Sequence, residues 1–154
     1  MEITFTILGD PKAQKRHRTY TKGKGGLPLP FARQVDPSAT DKADFLAQCR
    51  QHAPEAPLTG PLSLEVGFLF ARPKSHYRTG KHAGELKENR PIWHTSRPDA
   101  DNLVKLCKDA MNGVFYRDDC QVVTVTASKI YSDAQPFTTI TLRELSNELD
   151  KRNL

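Results

Sequence analysis

Five apolar side chains stand at every second position, Leu62, Leu64, Val66, Phe68 and Phe70, in the stretch PLSLEVGFLFARP. Period two is the repeat of a β-strand, so all five lie on one face and demand a covering layer. Leu69 adds apolar surface on the opposite side. The rest of the chain supplies partners. EITFTIL near the start alternates in the same way, with Ile3, Phe5 and Ile7 on one face. QVVTVTASKIYS is rich in β-branched residues and PFTTITLREL repeats the pattern, with DAQP as a hairpin-like turn between them. The segment PSATDKADFLAQCRQHA predicts a helix capped by Ser38 or Thr40, with Ala43, Leu46, Ala47 and Cys49 or Arg50 on its inner face. A second helix follows Pro98, which keeps the residue before it out of helical conformation. Asp99 or Asp101 caps it. Leu103, Leu106, Ala110 and Val114 face inward with Val104, Cys107 and Met111 beside them, and Asn112-Gly113 ends it.

The order strand, helix, strand, long loop, helix, strand, strand predicts an α+β fold: a mixed β-sheet of about four strands with two main helices packed on it. A chain of 154 residues is expected to make one domain over 1–154. Basic loops are expected over about 10–35 and 72–92, where glycine, proline and charge replace periodicity. The tail from about 146 to 154 extends as a short helix or frays. Tyr77 lies in the second loop, and Phe115 follows the second helix.

No run approaches the roughly 18 apolar residues of a membrane helix. The start reads as a strand rather than a leader, which predicts a cytoplasmic protein with no membrane association. Cys49, Cys107 and Cys120 are far apart and form no CxxC, so the expectation is small buried thiols rather than zinc ligands or a disulfide framework. The five histidines include no HExxH or HxH, and His94 reads as a polar loop residue.

The net charge of +5 is unevenly spread. Residues 1–35 hold seven Lys or Arg against Glu2 and Asp10, and residues 71–90 hold six against Glu85 and Glu88. Between 91 and 120 the balance reverses, with four basic residues against Asp99, Asp101, Asp109, Asp118 and Asp119. An acidic spot between basic segments fits a divalent cation set against a phosphate backbone. Asp99 and Asp101 are two apart and share a side in an extended loop. Asp101 and Lys105 are four apart and share a helix face. Asp118 and Asp119 sit beyond the far end of that helix, where the next strand can return one of them to Asp99 and Asp101. Mg²⁺ takes a few carboxylates and leaves positions for water and phosphate. A nearby lysine such as Lys105 neutralises phosphoryl charge. The same residues also read as a helix cap, a surface ion pair and turn formers. Asp109 reads as a solvated helix residue.

The run RPDADNLVKLCKDAMNGVFYRDDCQV resembles the signature of the RusA family of Holliday junction resolvases. That signature is Lys/Arg-Pro-Asp-x-Asp-Asn-Leu-x-Lys, then Asp-Ala-hydrophobic-Asn-Gly, then Asp-Asp-x-Gln-Val/Ile, here Arg97 to Lys105, Asp109 to Gly113 and Asp118 to Val122. ILGDPKAQKRHR is similar to the family's first strand followed by Gly-x-Pro and a basic segment. The resemblance implies a homodimeric, Mg²⁺-dependent endonuclease, with Mn²⁺ as an alternative ion, that cuts opposed strands of four-way DNA junctions in recombination and repair. It implies Asp99, Asp101 and Asp119 as metal-binding catalytic carboxylates and Lys105 as the catalytic lysine. Products with 5′-phosphate and 3′-hydroxyl ends come from the resemblance as well. Lys12, Lys15, Arg16 and Arg18, then Arg72, Lys74 and Lys81, are the expected DNA contacts. Phosphate contacts alone do not select a junction, so shape, dimer spacing or an inserted side chain has to do so. The connections TKGKGGLPLPFARQVDP and SHYRTGKHAGELKENRP are longer than a minimal family member needs. The competing readings are a nuclease for other branched or single-stranded nucleic acid and a non-catalytic DNA-binding module.

Overall fold

A computed structural model of the chain describes residues 1–146. The tail expected over 146–154 lies outside the described residues from 147 onward. The main sheet has four strands: β1 (Glu2–Leu8), β4 (Leu62–Phe70), β5 (Val122–Tyr131) and β6 (Phe137–Glu144). Their order is β1-β6-β4-β5. β1 and β4 run antiparallel to β6, and β4 runs parallel to β5, so the sheet is mixed. The parallel pair needs a crossover, and α2 (Ala100–Met111) lies within it. The other main helix, α1 (Ala39–Cys49), packs on α2 and β1.

Register explains the core. Leu64 pairs with Leu142 and Val66 with Ile140 on one side of β4, and Ile140 pairs with Phe5 across β6. One sheet face therefore carries all the alternating apolar sets, and α2 covers it with Leu103, Leu106, Cys107, Ala110 and Met111. All five predicted residues of β4 are buried. The opposite face is polar at one end, where Thr4 and Thr141 share a 3.1 Å hydrogen bond, and apolar at the other, where Leu8, Phe137, Leu69 and Ile130 stand in register.

Four expectations are corrected. Residues 10–35 are not all loop, because β2 (Arg18–Lys22) and β3 (Pro28–Val35) form an antiparallel hairpin. Neither strand buries a residue fully, so no apolar alternation marks them. In α1 the buried residues are Phe45 and Cys49, while Ala43, Ala47 and Arg50 are exposed. The stripe starts from buried Ser38, the N-cap, whose hydroxyl accepts from the Lys15 N–H at 2.8 Å instead of capping its own helix. Cys49 and Cys107 are buried thiols but Cys120 is exposed. His94 is no surface loop residue. Its ring stacks on Phe70 at 3.9 Å, and burial, with help from Lys129, lowers its pKa.

Candidate active site

α2 presents two faces. The buried stripe fixes its rotation on the sheet, so the opposite side, with Asp101, Val104, Lys105 and Lys108, turns outward toward β5. The turn after α2 is built to return the chain to that side. Gly113 takes a left-handed φ of 76°, and its N–H donates to the Tyr116 carbonyl at 2.8 Å. Phe115 and Tyr116 are fully buried and anchor the turn. The Tyr116 hydroxyl donates to the Lys108 carbonyl at 2.8 Å. Gln121 Nε2 donates to the carbonyls of Leu58 at 3.0 Å and Gly60 at 2.9 Å.

Asp118 and Asp119 have separate jobs. The Asp118 carboxylate accepts from the Cys120 N–H at 2.9 Å, and the Asp118 N–H donates to Gln121 Oε1 at 2.9 Å. This capping box closes a short 3₁₀ turn over Asp119–Gln121. The Cys120 thiol, and then the Cys120 N–H, hold the Asp118 carboxyl below the usual range. Asp119 is left free to face the cleft, with Oδ2 3.8 Å from Lys108 Nζ.

Asp101, Lys105, Lys108 and Asp119, with Ala100, Val104, Val125 and Ala127, line one open cleft of about 510 Å³. Asp99 is not among its lining residues. Among the described residues, no three carboxylate, imidazole or thiolate groups converge closely enough to hold a metal ion. The expectation that Asp99 and Asp101 both lie in an extended loop is corrected. Asp99 is extended, at ψ 144°, but the helix begins at Ala100, so the two-residue spacing crosses from extended to helical backbone. Asp99 is the N-cap by position, yet its side chain makes no capping hydrogen bond. Its carboxylate is exposed and uncommitted to the helix. The cleft's donor set is carboxylate oxygen. That chemistry fits a hard cation held by one or two protein ligands and completed by water and phosphate, not an all-protein cage.

Asp109 is not simply solvated. Lys42 Nζ lies 3.1 Å from Asp109 and 2.8 Å from Asp36, tying α1 to α2.

Of the basic residues, one short segment borders this cleft. The Gln14 N–H donates to the Asn102 carbonyl at 2.8 Å, which binds the first basic segment to the first turn of α2. Lys15, Arg16 and His17 line a neighbouring depression together with Lys105. Lys15 also reaches Asp41 at 3.4 Å. Lys12 is exposed beside a separate pocket under β1 and α1, and Arg18 is exposed on β2. Lys74 and Lys81 are exposed in short 3₁₀ turns of the long loop. Arg72 does not face solvent. Its side chain is 3% exposed, bonded to Asp133 at 2.6 Å and to the Pro91 carbonyl at 2.7 Å, and it lies over the Tyr131 ring. It fastens the long loop to the sheet. Tyr77 is partly buried and bridges to Leu86, and Phe115 belongs to the core.

Two site residues escaped the sequence reading. Lys108 is seven residues after Asp101 and three after Lys105, a spacing that already places it on the same helix face. Gln121 follows Asp118 by three, the spacing of a capping box.

YqaN of Bacillus subtilis (strain 168) is 36% identical over 149 residues, covering 94% of this chain and 97% of that protein. The protein named Crossover junction endodeoxyribonuclease rusA of Lactococcus phage r1t is 32% identical over 134 residues, covering 84% and 87% of the two chains. The family model described as Endodeoxyribonuclease RusA matches residues 9–143, a span that holds the cleft, the basic segments, β4, β5 and all but the last residue of β6, so this chain belongs to the RusA endodeoxyribonuclease family.

Proposed function

We propose that this chain is a Mg²⁺-dependent endodeoxyribonuclease that resolves four-way DNA junctions by paired nicks, with Mn²⁺ as a substitute ion. The observation that carries the reading is that Asp101, Lys105 and Asp119 line one open cleft in a chain of the RusA family. The phage relative's name points to the same substrate. Two opposed cuts require two cleavage sites, which a homodimer supplies by symmetry. A DNA substrate in recombination and repair puts the work in the cytoplasm.

Asp101 and Asp119 are the residues to hold the ion, with Asp99 just before the lining residue Ala100. When bound, the ion supplies a Lewis acid for the phosphoryl group and lowers the pKa of water. Lys105 stands one helical turn from Asp101 and is exposed to the cleft, where its ammonium offsets charge that builds on the phosphoryl oxygens. Lys108 positions Asp119 by the ion pair at 3.8 Å. Water adds to phosphorus, the bond to the 3′ oxygen breaks, and the proton passes to that oxygen, leaving 5′-phosphate and 3′-hydroxyl ends. Exposed Lys12, Lys15, Arg16, Arg18, Lys74 and Lys81 hold the arms through phosphates.

The test compares wild type, Asp101→Asn and Lys105→Ala on a labelled four-way junction and a matched duplex, with Mg²⁺ and with EDTA. Wild type should make paired nicks in the junction with Mg²⁺ alone and spare the duplex. Both variants should bind the junction normally and cut at least roughly a hundredfold more slowly, as expected for charge stabilisation confined to the transition state. Nicking in EDTA, or full activity of Asp101→Asn, would defeat the metal site. Equal cutting of duplex or flaps would leave the chemistry and remove the junction specificity.

A further inference from the structure

The hairpin β2–β3 is a feature the cleavage chemistry does not use. Its strands pack mainly on each other, and every residue of β2 is exposed. Residues 18–35 carry Arg18, Lys22, Lys24 and Arg33 and no acid. Large apolar side chains stand out in this charged setting: Phe31 is 76% exposed, Leu27 70% and Tyr20 43%. A solvated hairpin has no folding reason to display them. Phe31 sits where the register slips, between the pairs Tyr20–Arg33 and Lys22–Pro28, so no residue is paired with it across the hairpin.

Both roots of the hairpin are fixed, the entry root beside Lys105 of the cleft. On the entry side the Gln14 N–H reaches the Asn102 carbonyl at 2.8 Å, and the Lys15 N–H reaches Ser38 Oγ at 2.8 Å. On the exit side Asp36 accepts from the Ser38 N–H at 2.9 Å and from Lys42 at 2.8 Å. A basic ribbon that displays exposed apolar side chains, entered beside Lys105, matches the charge and stacking demands of DNA bases that have lost their partners. Pro28 and Pro30 deny β3 two N–H groups, which disfavours strand addition by a second chain along that edge.

We infer that the β2–β3 hairpin is a DNA-binding arm whose basic residues track phosphates and whose Phe31 stacks on unpaired bases at the branch point beside the cut. This rests on the junction reading above and assigns the shape selection to a named side chain. The arm is anchored to the helix that carries Lys105, so its grip on the branch also sets the distance from branch to cleavage site.

The experiment uses full-length wild type, Phe31→Ala and Phe31→Tyr. Binding is measured to a four-way junction carrying 2-aminopurine at the branch, to the same junction with the probe within an arm, and to linear duplex, all with Ca²⁺ in place of Mg²⁺. Wild type should change the emission of the branch probe alone. Phe31→Ala should lose roughly tenfold in junction affinity and that emission change, with duplex affinity and Tm unaltered, and Phe31→Tyr should restore both. Junction affinity and emission unchanged in Phe31→Ala would overturn the arm. So would a changed sedimentation coefficient with junction binding intact, which would make a second copy of the chain the partner of Phe31. If wild type binds junctions but nicks nothing in Mg²⁺, the nuclease reading falls while these binding data still decide the arm.

Discussion

Two adjacent aspartates show how one residue type divides into structure and chemistry. Asp118 gives its oxygen to the backbone of Cys120, and Asp119 turns toward Lys108 and the cleft. The sequence leaves the pair ambiguous because both fit a turn; the resemblance chooses Asp119, and the capping box supplies a physical reason that Asp118 is engaged elsewhere. The contrast is measurable. Asp118→Ala should lower Tm by a few degrees through loss of the cap. Asp119→Asn should leave Tm within about a degree, as surface substitutions outside such features do, while junction nicking falls at least roughly a hundredfold. Calorimetry with a nicking assay on the same preparations checks both. A large Tm loss in Asp119→Asn with proportionate activity would make that residue another turn former.

At the scale of elements, the legible parts were those with a one-sided apolar pattern. The strand at 62–70 and the helix at 100–111 each have a period that only one orientation satisfies, and both were legible to within two or three residues. The hairpin was illegible because it is solvated on both faces. The inner face of α1 was misread because polar Ser38 and Lys42 share its stripe. Ser38 is buried by its bond to Lys15, and Lys42 is held by Asp36 and Asp109. Those partners lie far off in sequence and leave no local signal. Asp36 is central to this junction of elements. The hydrogen bond from Lys42, then that from the Ser38 N–H, lowers its pKa to about 2 from an ordinary 3.8. Burial works against the charge on Lys42, but its bonds to Asp36 and Asp109 outweigh that and raise its pKa. A depressed carboxyl contributes stability that is present in full above its unfolded value and disappears as pH falls through its folded value. Wild type should therefore hold a Tm advantage over Asp36→Asn at neutral pH that shrinks between about pH 4 and pH 2. A constant Tm difference across that window would show that the Asp36 charge does not supply the link between β3, α1 and Lys42.

For the whole molecule, the segmental charge pattern was readable, but which cations face outward was not, because an arginine's partners are set by the fold. Arg72 and Arg18 look alike in the sequence. One is 3% exposed between Asp133, Pro91 and Tyr131, and the other is open on β2. That difference makes the last prediction. Each phosphate contact contributes about 0.9 to the slope of log affinity against log salt. Neutralising Lys15, Arg16 and Arg18 together should weaken junction binding and flatten that slope by roughly two to three. The lower end applies if Lys15 stays with Asp41 at 3.4 Å in the complex. Arg72→Gln should leave the slope alone and instead speed amide hydrogen exchange across residues 73–91, since its contacts with Asp133 and the Pro91 carbonyl hold that loop. Salt titrations of binding, with exchange measured on the free protein, separate the two. An unchanged slope in the triple variant would remove the first basic segment from the DNA interface. A slope that falls in Arg72→Gln would mean the long loop opens on binding and releases its arginine to the phosphates.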